Sequence, residues 1–202
     1  MKLRWFPAVL AGSLALALVF LTLPIAAIFL EAGPGELLDS LGSEQALDAL
    51  RLSLITTSIS LGLILLVGTP AAYLLATRSF RGRQAATTLV ELPLVVPPAV
   101  AGIGLLAAFG PEGILGGAVA DAGIELVFET AGVIVALTFV ASPFYVRQAQ
   151  AAFEAVDPTW LAASRTLGAS EARTFLRVAI PAAAPGLAAG TALARGAVWV
   201  TP

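Results

Sequence analysis

From Trp5 to Leu30 the chain carries no charged residue, while Lys2 and Arg4 stand before that run and Glu31, Glu36, Asp39, Glu44 and Asp48 follow it. A bilayer core about 30 Å thick takes roughly 20 mostly apolar residues per helical crossing, so one such run is long enough to span it. It exceeds the roughly 7 to 15 residues of a signal-peptide core and lacks a small-residue cleavage site before its polar flank, which favours a retained anchor. The pattern then recurs along the chain. A second run, Leu52 to Thr77, ends in Arg78, Arg81 and Arg83, and three more follow. The sequence therefore reads as an all-α integral membrane protein, a single transmembrane domain over 1–202 with about five crossings near 5–30, 52–77, 85–109, 130–146 and 178–194. Composition agrees: 12% of residues are charged and mean hydropathy is +0.94, against roughly 25% charged in a soluble domain.

Where the charges sit sets the orientation. Arginines and the lone lysine collect at the amino terminus, after the second run, and in the loop 147–177 that holds Arg147, Arg165, Arg173 and Arg177. By the positive-inside rule that side is cytoplasmic, so the amino terminus is inside and the acidic segments 31–50 and 111–129 face outward. The expected location is a prokaryotic plasma membrane, crossed several times.

Histidine and cysteine are both missing from the sequence. That removes imidazole bases, thiolate nucleophiles and the usual zinc or haem ligands. The only lysine is Lys2, so no phosphate-binding loop of the G-x-x-x-x-G-K-[ST] type exists in it. No catalytic residue, cofactor, metal or nucleic-acid partner is expected, and any nucleotide-driven work must come from another subunit.

The stretch Phe153 to Pro181 is built as short, bounded helices. Asp157 before Pro158 is a helix N-cap with proline at the first helical position. Trp160, Leu161, Ala163, Ser164 and Leu167 fall at spacings of three and four, which predicts one apolar to small-residue face. Gly168 suits a left-handed C-cap, Ser170 an N-cap of a second helix, and Pro181 a kink or stop where the chain meets the membrane. A helix lying on lipid headgroups explains this as well as a docking surface does.

Pro93, Pro97 and Pro98 each lack an N–H, so carbonyls about one turn earlier lose partners where water is scarce. A packing kink and a break that lines a translocation path are equally good readings. Glu91 is expected to pair with an arginine of the cytoplasmic loops, and Gly102 and Gly104 to permit close helix packing.

The Phe153–Pro181 stretch resembles the cytoplasmic loop of the binding-protein-dependent (MetI-like) importer permeases, whose signature is E-A-A, three residues, G, nine residues, I, one residue, L-P. The matching positions are Ala162, Ala163 and Ser164, then Gly168, then Val178, Ile180 and Pro181. Spacing is kept in full, while alanine stands for the signature glutamate and Ser164 for its third residue. The resemblance implies a cytoplasmic coupling helix seated on an ATP-binding subunit, two copies of that subunit, an extracytoplasmic substrate-binding protein and a homodimeric permease. Asp157, Pro158, Ala162, Ala163, Ser164, Leu167, Gly168, Val178, Ile180 and Pro181 would form the coupling loop. Glu91 to Gly116, with Gln150 to Ser170, is similar to molybdate permeases and their sulfate and tungstate relatives. It implies oxyanion import, molybdate first, with sulfate, thiosulfate or tungstate as alternatives and an ATP-independent secondary transporter as the rival class. After Arg195 the family continues with G-E-F-G and another crossing, whereas this chain reads GAVWVTP, so the final family helix is expected to be missing.

Overall fold

The computed structural model describes residues 5–31, 35 and 42–200. Lys2, Arg4, Glu36 and Asp39, which contribute to the charge pattern above, lie outside them. Every regular element among the described residues is helical: α1 (Trp5–Glu31), α2 (Glu44–Thr77), α3 (Arg83–Val95), α4 (Pro98–Phe109), α5 (Gly116–Asp121), α6 (Thr130–Glu154), α7 (Pro158–Thr166), α8 (Glu171–Thr174), a π-helical turn (Phe175–Ala179) and α9 (Ile180–Val200). Four helical stretches are long and apolar enough to cross a membrane: Val9–Ala27, Glu44–Thr77, Thr130–Glu154 and Glu171–Val198. The bent pair α3 and α4 makes a fifth if it is one span.

The chain divides into two compact units, residues 1–51 and 52–202. In the first, every side chain of α1 from Val9 to Ala27 is exposed. The helix is apolar all round, as a lipid-facing segment is. Its hydroxyls are satisfied within the helix: Ser13 donates to the Leu10 carbonyl at 2.9 Å and Thr22 to that of Leu18 at 2.7 Å.

In the second unit the core lies where α2, α6 and α9 meet. The inward face of α2 carries Thr57, Ser60, Ile64, Gly68, Ala72 and Leu75, at steps of three and four, while Leu66, Val67 and Leu74 on its other side are exposed. Lipid tails are as apolar as leucine, so such faces associate through close packing of small residues rather than by escape from water. Accordingly Ala141, Ala149, Ala179, Ala183 and Ala194 are fully or almost fully buried. A Cβ on Gly68 would stand 2.9 Å from a ring carbon of Tyr145, and one on Gly186 would collide with Ala152. Polar atoms in this core are paired: Ser60 donates to the Ile134 carbonyl at 3.1 Å, and the Thr69 and Tyr145 hydroxyls are 2.7 Å apart.

Helix ends depart from the apolar runs. α2 begins at Glu44 and has 34 residues, and α6 continues through Glu154 rather than stopping at 146. Residues 147–154, expected as loop, are therefore helix. Hydropathy marks where lipid contact ends, and Arg147, Gln148 and Gln150 are good helix formers that carry the same hydrogen-bond ladder onward. Likewise, residues 85–109 are not one rod. α3 and α4 meet at 119° across Val96 and Pro97.

Candidate functional site

At the arginine-bearing end of the second unit, α7 is set between two caps that the local sequence dictates. Asp157 accepts a hydrogen bond from the Thr159 N–H at 2.8 Å. That bond holds the Asp157 carboxyl below its ordinary pKa, because it stabilises the ionised form. Pro158 occupies the first helical position, where its missing N–H is no loss. At the other end Gly168 has φ +81°, with its N–H on the Arg165 carbonyl at 2.9 Å and the Ala169 N–H on that of Ser164 at 3.1 Å. A side chain there would meet open space within this chain. Glycine is thus required for its left-handed backbone, not for a close approach to another part of the chain. Ser170 then caps α8, accepting from the Arg173 N–H at 3.3 Å.

The expected single apolar face of α7 is split in two. Leu161 packs toward the core and Ser164 turns inward, its hydroxyl 3.0 Å from that of the fully buried Thr174. Trp160, Ala163 and Leu167 lie on the outside, Trp160 56% and Leu167 88% exposed, with Ala162 exposed beside them. Spacing alone shows that these residues neighbour one another around the helix. Which of them the protein itself covers depends on what α7 packs against.

Val178, Ile180 and Pro181 do not join that outer surface. They sit at the root of α9, where Val178 and Ile180 are half-buried and Pro181 is exposed. Pro181 does not stop the helix, but the regular α pattern is interrupted just before it. Its missing N–H removes the bond to the Arg177 carbonyl, and the chain widens the preceding turn into a π-turn in which the Ile180 N–H bonds the Phe175 carbonyl five residues back.

Sequence reasoning missed what fastens this root. Tyr73 of α2, Phe153 of α6 and Phe175 of the π-turn form a ring cluster with centroids 4.8 to 6.2 Å apart. Such offset and edge contacts contribute about 0.5–1.5 kcal/mol per pair beyond burial. Around the cluster, Arg78 pairs with Glu171, Arg83 with Glu154 at 3.0 Å, and Arg147 with Glu91 at 3.3 Å. The last pair meets the expectation for Glu91. All six side chains are well exposed, so each pair contributes at most about 1 kcal/mol. Their value is positional, since they join the 78–83 segment and α3 to α6 and α8.

Pro97 caps α4 and Pro98 begins it, while Pro93 lies inside α3. The carbonyls of Pro93 and Leu94, four residues before the two prolines, have no helical N–H to accept from. The Val96 N–H still reaches the Leu92 carbonyl at 3.3 Å. Nothing lies within 4 Å of where a Cβ on Gly102 or Gly104 would stand, so the packing role expected of them is not seen within this chain.

Several long apolar helices around a small-residue core, with a capped helix held out from the arginine-bearing end, define a polytopic α-helical membrane protein of the transport-permease kind. The chain belongs to the family described as binding-protein-dependent transport system inner membrane component, whose model matches residues 64–201. It is 38% identical over 190 residues to a probable molybdenum ABC transporter permease protein of Haloferax volcanii, covering 94% of this chain and 68% of that one. Over 175 residues it is 35% identical to a molybdate/tungstate transport system permease protein of Thermococcus kodakarensis, covering 86% of this chain and 66% of the relative. A molybdenum transport system permease protein of Azotobacter vinelandii is 42% identical over 145 residues, 71% of this chain and 64% of its own. The chain spans about two thirds of the length of these relatives.

Proposed function

We propose that this chain is the membrane-spanning subunit of an ATP-binding-cassette importer for a molybdate-like oxyanion. In this reading it works as a homodimeric permease domain in a prokaryotic cell membrane, amino terminus inside. Two cytoplasmic ATP-binding subunits drive it and an extracytoplasmic binding protein supplies the anion. The chain is not itself an enzyme, and ATP hydrolysis belongs to the partner. The observation that carries the reading is the doubly capped α7, which holds Trp160, Ala163 and Leu167 outside while Leu161 and Ser164 tie it to the core. A helix merely resting on headgroups has no need of a fixed inward hydroxyl pair and a left-handed cap. A rigid lever between a motor and a bistable helix pair needs both.

Tungstate is the second substrate to test, because relatives named for molybdate and tungstate transport match most of the chain. The candidate break at Pro93, Pro97 and Pro98 serves here as part of the translocation path. The experiment is co-purification with the candidate ATP-binding subunit, before and after Gly168→Trp. Loss of the complex with the permease still folded is the expected result. Unchanged assembly, or labelling of Trp160 from outside the cell, would overturn the coupling assignment.

A further inference from the structure

Beside α7 lies a groove of about 690 Å³ that the importer reading leaves without a role. Its floor is the end of α2, with Pro70, Tyr73 and Leu74, and Phe80 beyond it. Its rim carries Arg78 and Arg165. Leu74 and Phe80 are exposed large apolar side chains, 49% and 41%. Apolar floor and cationic rim thus follow one another along the helix, at the place where α2 passes from its uncharged run to Arg78.

The charges at the rim are unequal in their commitments. Arg78 is paired with Glu171, whose carboxylate also lines the groove and would repel an anion. Arg165 has no ion pair among the described residues and stands exposed on α7. The rim therefore keeps one uncompensated positive charge. Water alone would leave Leu74 and Phe80 uncovered, and a soluble anion would leave them so too. An occupant that satisfies both parts has an anionic head and an apolar tail. Basic pockets between membrane helices take acidic lipid headgroups on this principle.

We infer that this groove binds an anionic phospholipid, its phosphate against Arg165 and Arg78 and the upper part of an acyl chain along Leu74 and Pro70. The inference concerns the permease chain alone and does not depend on the identity of the transported anion or on the motor.

The test is lipid retention by the full chain, measured by native mass spectrometry after exchange against mixed phosphatidylglycerol and phosphatidylcholine micelles. We expect a retained phosphatidylglycerol and a roughly fivefold loss of that preference in Arg165→Ala, the order of one arginine near a charged headgroup. Leu74→Trp, which fills the acyl side without touching a charge, should displace the lipid as well. Arg173→Ala removes the same charge from outside the groove and should leave the preference intact. Equal losses in Arg173→Ala and Arg165→Ala would mean diffuse attraction and overturn the site. Displacement of the lipid by millimolar inorganic phosphate would also overturn it, because the site would then recognise a free anion. Retention that survives both Arg165→Ala and Leu74→Trp would sink it outright.

Discussion

Two proline sites in this chain meet the same chemical defect and resolve it in opposite ways. At Pro97–Pro98 two successive N–H groups are missing, no turn can be widened to replace both, and α3 and α4 part at 119°. At Pro181 one N–H is missing, and a π-turn over Phe175–Ala179 absorbs it with the helix continuous on either side. Surroundings differ as well. Val95 beside the first site is 81% exposed, whereas Thr174 and Ala179 bracketing the second site's π-turn are fully buried. The lesson is that proline sets only the local deficit; whether the deficit becomes a joint or a stiff root is decided by how many donors are lost and how tightly the neighbours grip.

If the root is stiff because of its grip, removing the grip has the largest effect. Phe153→Ala takes a ring that is 2% exposed out of the cluster and should destabilise the chain by about 3–5 kcal/mol, read as a shift in detergent unfolding. A stability change under 1 kcal/mol would mean that the cluster does not hold the root. Next, Gly190→Leu forces α9 off α6, where even a Cβ would stand 3.2 Å from Gln148, at a cost of about 1–3 kcal/mol by the same measurement. The joint should behave differently. Pro97→Ala combined with Pro98→Ala restores donors to the Pro93 and Leu94 carbonyls, so folding stability should hold or rise while oxyanion uptake falls about tenfold, near 1.4 kcal/mol. Full uptake by the double variant would show that the break is only a packing kink.

The smallest effect concerns the start of α7. Hydrogen bonding from Thr159 lowers the Asp157 pKa, so its contribution is present above the unfolded value, about 3.9, and is lost as pH falls through the folded one. Trp160 fluorescence, read with Trp5 and Trp199 replaced by phenylalanine, should stay constant from neutral pH to about pH 5 and change only below about pH 4. Asp157→Asn should abolish that acid step; a step that persists would assign it to another carboxylate.

Much of this was legible from residue order because caps are local. Asp157–Pro158, Gly168 and Ser170 each determine their own few backbone bonds, and the structure puts each where spacing predicted. The paired prolines marked where hydrogen bonds are lost for the same reason, while residue order left a kink and a break equally open. Less visible was anything that depends on a partner far along the chain. Tyr73, Phe153 and Phe175 are about 100 residues apart at the extremes, and nothing near any of them signals the other two. Nor could periodicity tell that Leu161 turns in while Trp160 turns out, since both faces of α7 carry apolar residues. Helix ends escaped as well, because the polar turns of α2 and α6 keep the helix after the apolar run has ended.

One such extension has a mechanical consequence. With 34 residues, α2 is about 50 Å long at 1.5 Å per residue, well over the hydrocarbon thickness of about 30 Å. The excess length is taken up by tilt or by turns standing outside the hydrocarbon. Because Tyr73 and Arg78 at its end are gripped by Phe153, Phe175 and Glu171, a tilt of α2 is passed directly to the π-turn and α8.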